Sequence, residues 1–159
     1  MYETNDELRR LEFLPVGRLA DGELELTLAA REPLNPTTGW VPTYRFDMRC
    51  DGRYAGSISL RIANTPEIVL YLGHIGYNVD VRYRGRHFAA RSCRLVFPLA
   101  ARHGIDPLWI TCNPDNWASR RSCELAGGEM IEIIDVPPNN ALYQRGDLQK
   151  CRYRVRIGG

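Results

Sequence analysis

Long hydrophobic runs are missing from this sequence of 159 residues. No stretch approaches the roughly 18 uninterrupted apolar residues of a membrane-spanning helix, and residues 1–7 are polar and acidic, without the apolar segment of a secretory signal behind them. The five cysteines are odd in number and form no CxxC pair, which is typical of reduced thiols. We therefore expect a cytoplasmic protein that has no membrane partner.

Charge of one sign is also scarce. The sequence has 21 Lys plus Arg against 19 Asp plus Glu, its formal net charge is +2, and the basic residues are spread along the chain. This balance lacks the basic patch of a nucleic-acid-binding surface, so we expect no nucleic-acid partner. The glycine-rich motifs of P-loop and dinucleotide-binding proteins are absent as well, which disfavours a nucleotide site of either kind.

Length and composition predict one domain over residues 1–159. With 44% hydrophobic residues, the chain is long enough for one full core but too short for two. We expect residues 1–20 to form either a short helix or a loose N-terminal arm. Segment 32–42 is rich in turn-forming residues, which indicates a mobile loop.

Alternating hydrophobicity predicts strands in the first half of the chain. Leucines at every second position of segment 24–28 are typical of a half-buried strand. Segments 44–50 and 54–62 flank Asp51-Gly52, a strong hairpin signal, and should pair antiparallel. Segment 67–81 is densely apolar and predicts one long, buried central strand.

The second half of the chain alternates helices with strands. Helices are predicted at 88–103, where Pro98 removes one backbone hydrogen bond, and at 116–126. Further strands are predicted at 107–112, 130–136 and 151–157. This order favours a mixed α/β sheet with helices packed on it. The last strand could pair at an edge with a second subunit, which would give a homodimer.

The most informative segment runs from Val79 to Ala90, where a strand is followed by a basic, glycine-bearing turn and then by a helix. Backbone N–H groups in the first turn of a helix have no intrahelical acceptor, and the helix dipole adds positive charge there. Arg82, Arg84 and Arg86 crowd the same turn. A phosphate or pyrophosphate accepts several N–H bonds and a guanidinium together, so it is the expected ligand.

Two segments carry motifs that can be compared with those of known families. The sequence Arg84-Gly85-Arg86-His87-Phe88-Ala89 follows the form Arg/Gln-x-x-Gly-x-Gly/Ala, with histidine at a glycine position, and segment 111–128 contains Asn-x-x-Ser followed by Glu-x-x-Gly. Together these segments resemble the phosphate loop and the second signature of the GCN5-related N-acetyltransferase (GNAT) superfamily. The resemblance covers about residues 44–136.

This resemblance implies an α/β (α+β) fold with a mixed, mostly antiparallel twisted sheet and helices on both faces. Two parallel central strands would splay apart and hold acetyl-CoA between them. The backbone at Val79, Asp80 and Val81 would pair with the pantetheine amides. The other residues expected to bind this cosubstrate are Arg84, Gly85, Arg86, His87, Phe88 and Ala89 at the pyrophosphate, with Asn113, Asn116 and Ser119 near the second helix. No metal is implied.

Three residues are candidates for proton transfer. His74 lies on the predicted central strand, and the reference pKa of histidine, ~6.5, suits proton transfer near neutral pH. Tyr77 is a candidate acid on the same strand. Cys123 precedes Glu124, at the position where many members of the superfamily carry the tyrosine that protonates the leaving thiolate. A thiol with a reference pKa of ~8.5 could replace it, although histidine, tyrosine and cysteine also serve as core packing.

We interpret the chain as an N-acetyltransferase that moves an acetyl group from acetyl-CoA to a primary amine by direct attack in a ternary complex. The acceptor is a small-molecule amine or a protein N-terminus, and the sequence leaves this choice open. The alternative is a catalytically degenerate GNAT-like domain that binds CoA as a sensor or an interaction module.

Overall fold

The computed structural model describes residues 2–157. Residues 1, 158 and 159 of the predicted domain lie outside the described residues. An antiparallel sheet of five strands, paired in chain order, contains most of the first half of the chain. Its strands are β1 (Leu19–Asp21), β2 (Leu24–Glu32), β3 (Thr43–Cys50), β4 (Arg53–Arg61) and β5 (Ile75–Val79). The predicted hairpin at Asp51-Gly52 is confirmed, since β3 and β4 pair on either side of it.

A second sheet has the order β6-β8-β7 and is also antiparallel. Its strands are β6 (Leu108–Cys112), β7 (Glu129–Asp135) and β8 (Gln149–Val155). The expectation that the last strand lies at an edge is wrong, because β8 pairs on both sides. Residues 150–153 of β8 are buried on both faces, as a central strand requires.

Four α-helices connect or flank the strands of residues 2–157: α1 (Asn5–Arg9), α2 (Phe88–Arg102), α3 (Trp117–Leu125) and α4 (Ala141–Gln144). The predictions for α2 and α3 are confirmed within a residue or two. Pro98 lies inside α2, and Gly104 follows the helix with a φ of 77°. Within this described range, no helix is long and apolar enough to cross a membrane.

The core lies between α2 and the inner face of the first sheet. Tyr44, Phe46 and Met48 alternate along β3 and are at most 1% exposed, because successive residues of a strand face opposite sides. The Tyr44 hydroxyl accepts the N–H of Leu14 at 2.7 Å and lies 2.6 Å from Nε2 of His103, just after α2. Residues 11–19 pack against this core as well, so the N-terminal segment is not a loose arm.

The structure differs from the predicted long strand at 67–81. A π-helix occupies Glu67–Leu72, and β5 covers only Ile75–Val79. Pro66 has helical dihedral angles, and the Thr65 hydroxyl accepts the N–H of Ile68, so the chain begins a helix despite its apolar composition. Gly73 ends it with a φ of 78°. Tertiary packing of one apolar face favours the helix here over the strand.

The two sheets meet where β5 and β6 begin. The backbone N–H of His74 donates to the carbonyl oxygen of Trp109 at 2.8 Å. Gly73 packs so closely on β6 that an added Cβ would lie 3.1 Å from Trp109 O and Thr111 N. Past this point β5 pairs only with β4 within residues 2–157, so β5 and β6 diverge. The predicted fold class, a mixed α/β fold with mostly antiparallel strands and packed helices, is confirmed.

Gly56 on β4 allows the backbone of β5 to approach. Its φ is 149°, and an added Cβ would lie 2.3 Å from Asn78 O and 3.0 Å from Val79 Cα. We expect Gly56→Ala to lower the free energy of unfolding by about 3 kcal/mol, since these contacts are with backbone that has little freedom to move. Urea unfolding measures the loss.

Gly52→Ala is the matched control, because Gly52 also has a positive φ, 83°, but an added Cβ would contact nothing within 4 Å. It should cost only the backbone strain, about 1 kcal/mol. Equal losses in the two variants would show that the approach of β5 to Gly56 is not tight.

Candidate functional site

A cleft of about 550 Å³ opens where β5 separates from β6. Its walls are the end of β5, the turn that leads into α2, and the first two turns of α3. The lining residues are Tyr77, Asn78, Val79, Tyr83, Arg84, Gly85, His87, Phe88, Ala89, Asn116, Ala118, Ser119, Arg121, Ser122 and Leu125. Most of the residues predicted to bind the cosubstrate therefore lie on one cleft.

The N-terminus of α2 faces this cleft with unused backbone donors. The first hydrogen bond of the helix runs from Arg91 N to His87 O, so the N–H groups of Phe88, Ala89 and Ala90 have no acceptor inside the helix. No side chain caps this end. The combination of free N–H groups and the helix dipole favours an anion here.

His87 adopts a glycine-like backbone conformation. Its φ is 60° and its ψ is 29°, while Gly85 two residues earlier has a φ of 89°. The left-handed region costs an ordinary residue about 1–2 kcal/mol, although histidine is found there more often than most residues. His87 therefore supplies here the left-handed conformation that glycine adopts freely.

Arg91 fixes the turn from the first sheet. Its Nη1 donates to the carbonyl oxygen of Arg86 at 3.3 Å, its Nε donates to Asp21 Oδ2 at 2.7 Å, and its Nη2 pairs with Glu23. The hydrogen bond from Arg91 lowers the pKa of the Asp21 carboxyl and raises the pKa of Arg91 itself. The turn is thus held by a charged contact with the β1–β2 hairpin, which the sequence did not indicate.

The arginines of the turn have different roles. Arg84 lines the cleft, and its Nε donates to Val79 O at 3.3 Å. Arg86 turns away toward Cys50, with 3.4 Å between Nη1 and Sγ. Arg82 pairs with Asp80 at 3.1 Å. Sequence reasoning missed Arg121, which lies in the signature segment and also lines the cleft.

The other predicted backbone positions lie at the rim. Asp80 donates its N–H to Ala55 O at 2.8 Å, so this backbone donor is already used. Val81 begins a short 3₁₀ turn, Val81–Tyr83, and is 70% exposed. Only Val79 of the predicted backbone trio lines the cleft.

The two predicted asparagines differ. Asn116 caps α3, since its Oδ1 accepts the Ser119 N–H at 3.1 Å, and it lines the cleft. Asn113 instead donates through Nδ2 to Asp147 Oδ1 at 2.7 Å and does not line the cleft. Its side chain ties the start of α3 to the β7–β8 connection.

Tyr77 and Ser119 form a hydroxyl pair across the opening, with 2.6 Å between the Tyr77 hydroxyl and Ser119 Oγ. Burial, with a smaller contribution from Cys123, raises the pKa of Tyr77, so the phenol stays protonated. The pairing of these two residues, 42 positions apart, is a feature that no sequence pattern revealed.

Cys123 does not reach the cleft. It is 1% exposed, and a hydrogen bond with Cys112, together with burial, raises the pKa of its thiol. All five cysteines are buried free thiols. The placement of Cys123 favours packing over proton transfer.

His74 is fully buried beside the junction of the sheets. Its Nδ1 accepts the backbone N–H of Trp109 at 2.9 Å, and its Nε2 lies 2.8 Å from Asn64 Oδ1, which fixes a neutral tautomer with the proton on Nε2. Burial lowers its pKa to about 4. Both ring nitrogens are used, so His74 holds the junction and has no free nitrogen for substrate.

Comparison with known proteins identifies the fold. A family model described as the acetyltransferase (GNAT) domain matches residues 4–129. The chain therefore belongs to the GNAT acetyltransferase family, and the predicted enzyme class, an N-acetyltransferase, is confirmed at that level. Comparison with curated protein sequences finds no significant match.

Solved structures support the same fold at low identity. An acetyltransferase from Salmonella typhimurium that modifies the N-terminal serine of ribosomal protein L7/L12 is 24% identical, with a TM-score of 0.55 over 76% of this chain and 66% of that chain. The microcin C7 self-immunity acetyltransferase MccE, in complex with acetyl-CoA and AMP, is 16% identical, with a TM-score of 0.55 over 72% of this chain and 61% of that one. AAC(6')-Ib, in complex with paromomycin and acetyl-CoA, is 14% identical, with a TM-score of 0.55 over 72% of this chain and 64% of its own. The chain spans no more than about two thirds of their length.

The neutral state of His74 predicts a loss of stability in acid. Its folded pKa, about 4, lies below the reference value of 6.5, so between these values the unfolded chain binds the additional proton and folding weakens as the pH falls. We expect a loss of roughly 3 kcal/mol from His74 between pH 7 and pH 4. Urea unfolding at several pH values measures it.

His74→Gln is the informative variant, since glutamine can accept from Trp109 and donate to Asn64 without titrating. Its free energy of unfolding should fall less steeply over the same pH range. An unchanged slope would assign the acid sensitivity to other groups, such as His103, whose pKa is also lowered by burial.

Proposed function

We propose that the cleft binds acetyl-CoA and that the protein transfers its acetyl group to a primary amine by direct attack in a ternary complex. The observation that carries this proposal is the N-terminus of α2, where two left-handed residues and three free N–H groups face the unpaired edge of β5. This arrangement offers a donor cradle for a pyrophosphate next to a strand edge for an amide-bearing chain.

The residues fit the two halves of the cosubstrate. The N–H groups of Phe88 and Ala89 would bind the pyrophosphate, with the guanidinium groups of Arg84 and Arg121 beside it. The backbone of Tyr77 and Val79 would pair with the pantetheine amides, because this edge of β5 has no partner strand within residues 2–157. Acetyl-CoA would supply the acetyl group as an activated thioester.

The Tyr77–Ser119 pair is our candidate for the proton donor to the departing thiolate. Both residues line the cleft and their hydroxyls hydrogen-bond to each other, so the proton that Tyr77 gives to the thiolate could be returned through Ser119, which would take up a proton from solvent in the cleft. Tyr77 stays protonated at neutral pH because burial raises its pKa. This pair would supply the acid for which Cys123 is too deeply buried.

The acceptor in this proposal is a primary amine. One of the named relatives modifies an N-terminal serine, and another was solved with an aminoglycoside. Both observations support a small-molecule amine or a protein N-terminus as the acceptor here.

The shape of the phosphate turn can be tested at His87. His87→Gly should keep the turn and bind CoA within about twofold of the wild type, since glycine adopts a φ of 60° freely. His87→Val should weaken CoA binding about tenfold, because a β-branched residue resists this conformation by 1–2 kcal/mol. Calorimetry with CoA measures both variants, and equal affinities would contradict a phosphate site at this turn.

The proton donor can be tested by Tyr77→Phe. We expect kcat for thiol release from acetyl-CoA in the presence of an amine to fall about 10²-fold, with CoA affinity nearly unchanged. Tyr54→Phe, on the exposed surface, is the control. A wild-type kcat in Tyr77→Phe would remove Tyr77 from the mechanism, whereas CoA binding without thiol release from any amine would favour the degenerate binding module instead.

A further inference from the structure

Arg61, at the end of β4, carries a largely buried guanidinium that forms no ion pair within residues 2–157. Its Nη1 donates to the carbonyl oxygens of Leu72 at 3.2 Å and Gly73 at 3.0 Å. Its Nε is buried without a hydrogen-bond partner among the same residues. Burial of such a charge is costly unless an anion compensates it.

The charges around Arg61 increase this cost. Burial, with smaller contributions from the positive charges of Arg45 and Arg145, lowers the pKa of Arg61 to about 10. Each of these neighbours has its own carboxylate, since Arg45 pairs with Glu32 and Arg145 Nε lies 2.6 Å from Asp147 Oδ2. Arg61 is therefore left as the uncompensated charge of the group.

Trp40 lies beside Arg61 and Arg45 and adds a second unused hydrogen-bond donor. We call the surface formed by Arg61, Arg45 and Trp40 the patch. The centre of the Trp40 ring lies 5.9 Å from Cζ of Arg61 and 5.8 Å from Cζ of Arg45. Its Nε1 is buried and, within the described part of the chain, has no hydrogen-bond partner. Two unpartnered N–H donors on neighbouring side chains favour a ligand that accepts hydrogen bonds and carries negative charge.

The patch lies beside β5, on the face opposite the cosubstrate cleft. An added Cβ on Gly76 would lie 2.5 Å from Arg61 Nη2, so the guanidinium covers this glycine. Tyr77, the next residue, lines the cleft, and successive residues of a strand face opposite sides. Only the thickness of β5 separates the patch from the cleft.

We propose that Arg61 and Trp40 bind an anionic group, a carboxylate or a phosphate, of the acceptor amine. This inference rests on the proposed acetyl transfer. Nε and Nη2 lie on one edge of the guanidinium, and this edge matches two oxygens of either anion. Arginine is better suited than lysine to such paired recognition because its donors are fixed in one plane.

The geometry also restricts how the acceptor is built. Gly76, which Arg61 covers, lies two residues before Asn78 and three before Val79, where the open edge of β5 ends. The guanidinium of Arg61 is therefore about 7–10 Å along the strand from the end of this edge. In a free α-amino acid the amine and the carboxylate are attached to the same carbon, which is too close for this spacing. The acceptor should therefore carry its anion several bonds away from the reacting amine.

Calorimetry with CoA present tests the site without requiring turnover. The probes are aminohexanoate, aminohexyl phosphate and hexylamine, which share an amine and a chain but differ in the anion. We expect either anionic probe to bind at least tenfold more tightly than hexylamine, and the tighter of the two anions identifies the group. Arg61→Lys should reduce this preference at least fivefold, since lysine keeps the charge but loses the paired donors.

Gly76→Ala is a second variant, because its Cβ displaces Arg61 Nη2 while the charge remains; it should also reduce the preference. Arg145→Gln is the control for general electrostatics and should retain most of it. CoA affinity and the melting temperature report whether each variant is folded. Equal binding of charged and neutral probes, or no binding of any, would overturn the anion site.

The two proposals can fail separately. Acetylation of hexylamine, aminohexanoate and aminohexyl phosphate with the same KM would refute the anion site and leave the acetyl transfer standing. Preference for the anionic probes that depends on Arg61, without thiol release from any amine, would refute the acetyl transfer and leave the anion site standing.

Discussion

The contact between His74 and Trp109 is the constraint on which the rest of the site depends. One backbone hydrogen bond and one imidazole hydrogen bond join β5 to β6 at this point, and Gly73 allows the backbones to approach. Burial keeps the imidazole neutral, so the junction carries no charge that would require a further partner. Because no further backbone hydrogen bond joins β5 to β6 within residues 2–157, the separation of the two strands begins at a defined residue.

The divergence of β5 and β6 creates the two features of the site, which are the open edge of β5 and the cleft between the helices that follow the two strands. One edge of β5 is left without a partner strand within residues 2–157, and the Tyr77–Ser119 hydrogen bond spans the gap instead. The helices that follow β5 and β6 both begin at the cleft, so two helix N-termini face one opening. Only α2 leaves its first N–H groups free, since Asn116 caps α3, and this difference gives the anion site its position.

Local patterns in the sequence predicted much of this arrangement, and long-range contacts account for what they missed. The hairpin, α2, α3 and the turn at Arg84 and Gly85 follow from hydrophobic periodicity, helix-capping residues and the positions of glycine. Residues close together in the sequence determine all three of these signals. The side chain of His74 could not be placed, because its acceptor and donor come from segments 10 and 35 residues away. The burial of Cys123 and the pairing of Tyr77 with Ser119 likewise depend on how α3 packs.

The positive charge near β5 also bears on the nucleophile. A primary amine must lose its proton before it attacks a thioester, yet His74, the predicted base, has no free nitrogen. The charge of Arg61 already contributes to the lowered pKa of His74, and it acts in the same direction on any ammonium group that binds nearby. Arg45 and Arg145 add little to this effect, because each already pairs with a carboxylate, and an anion on the acceptor offsets part of the effect of Arg61. The part that remains would favour the neutral amine.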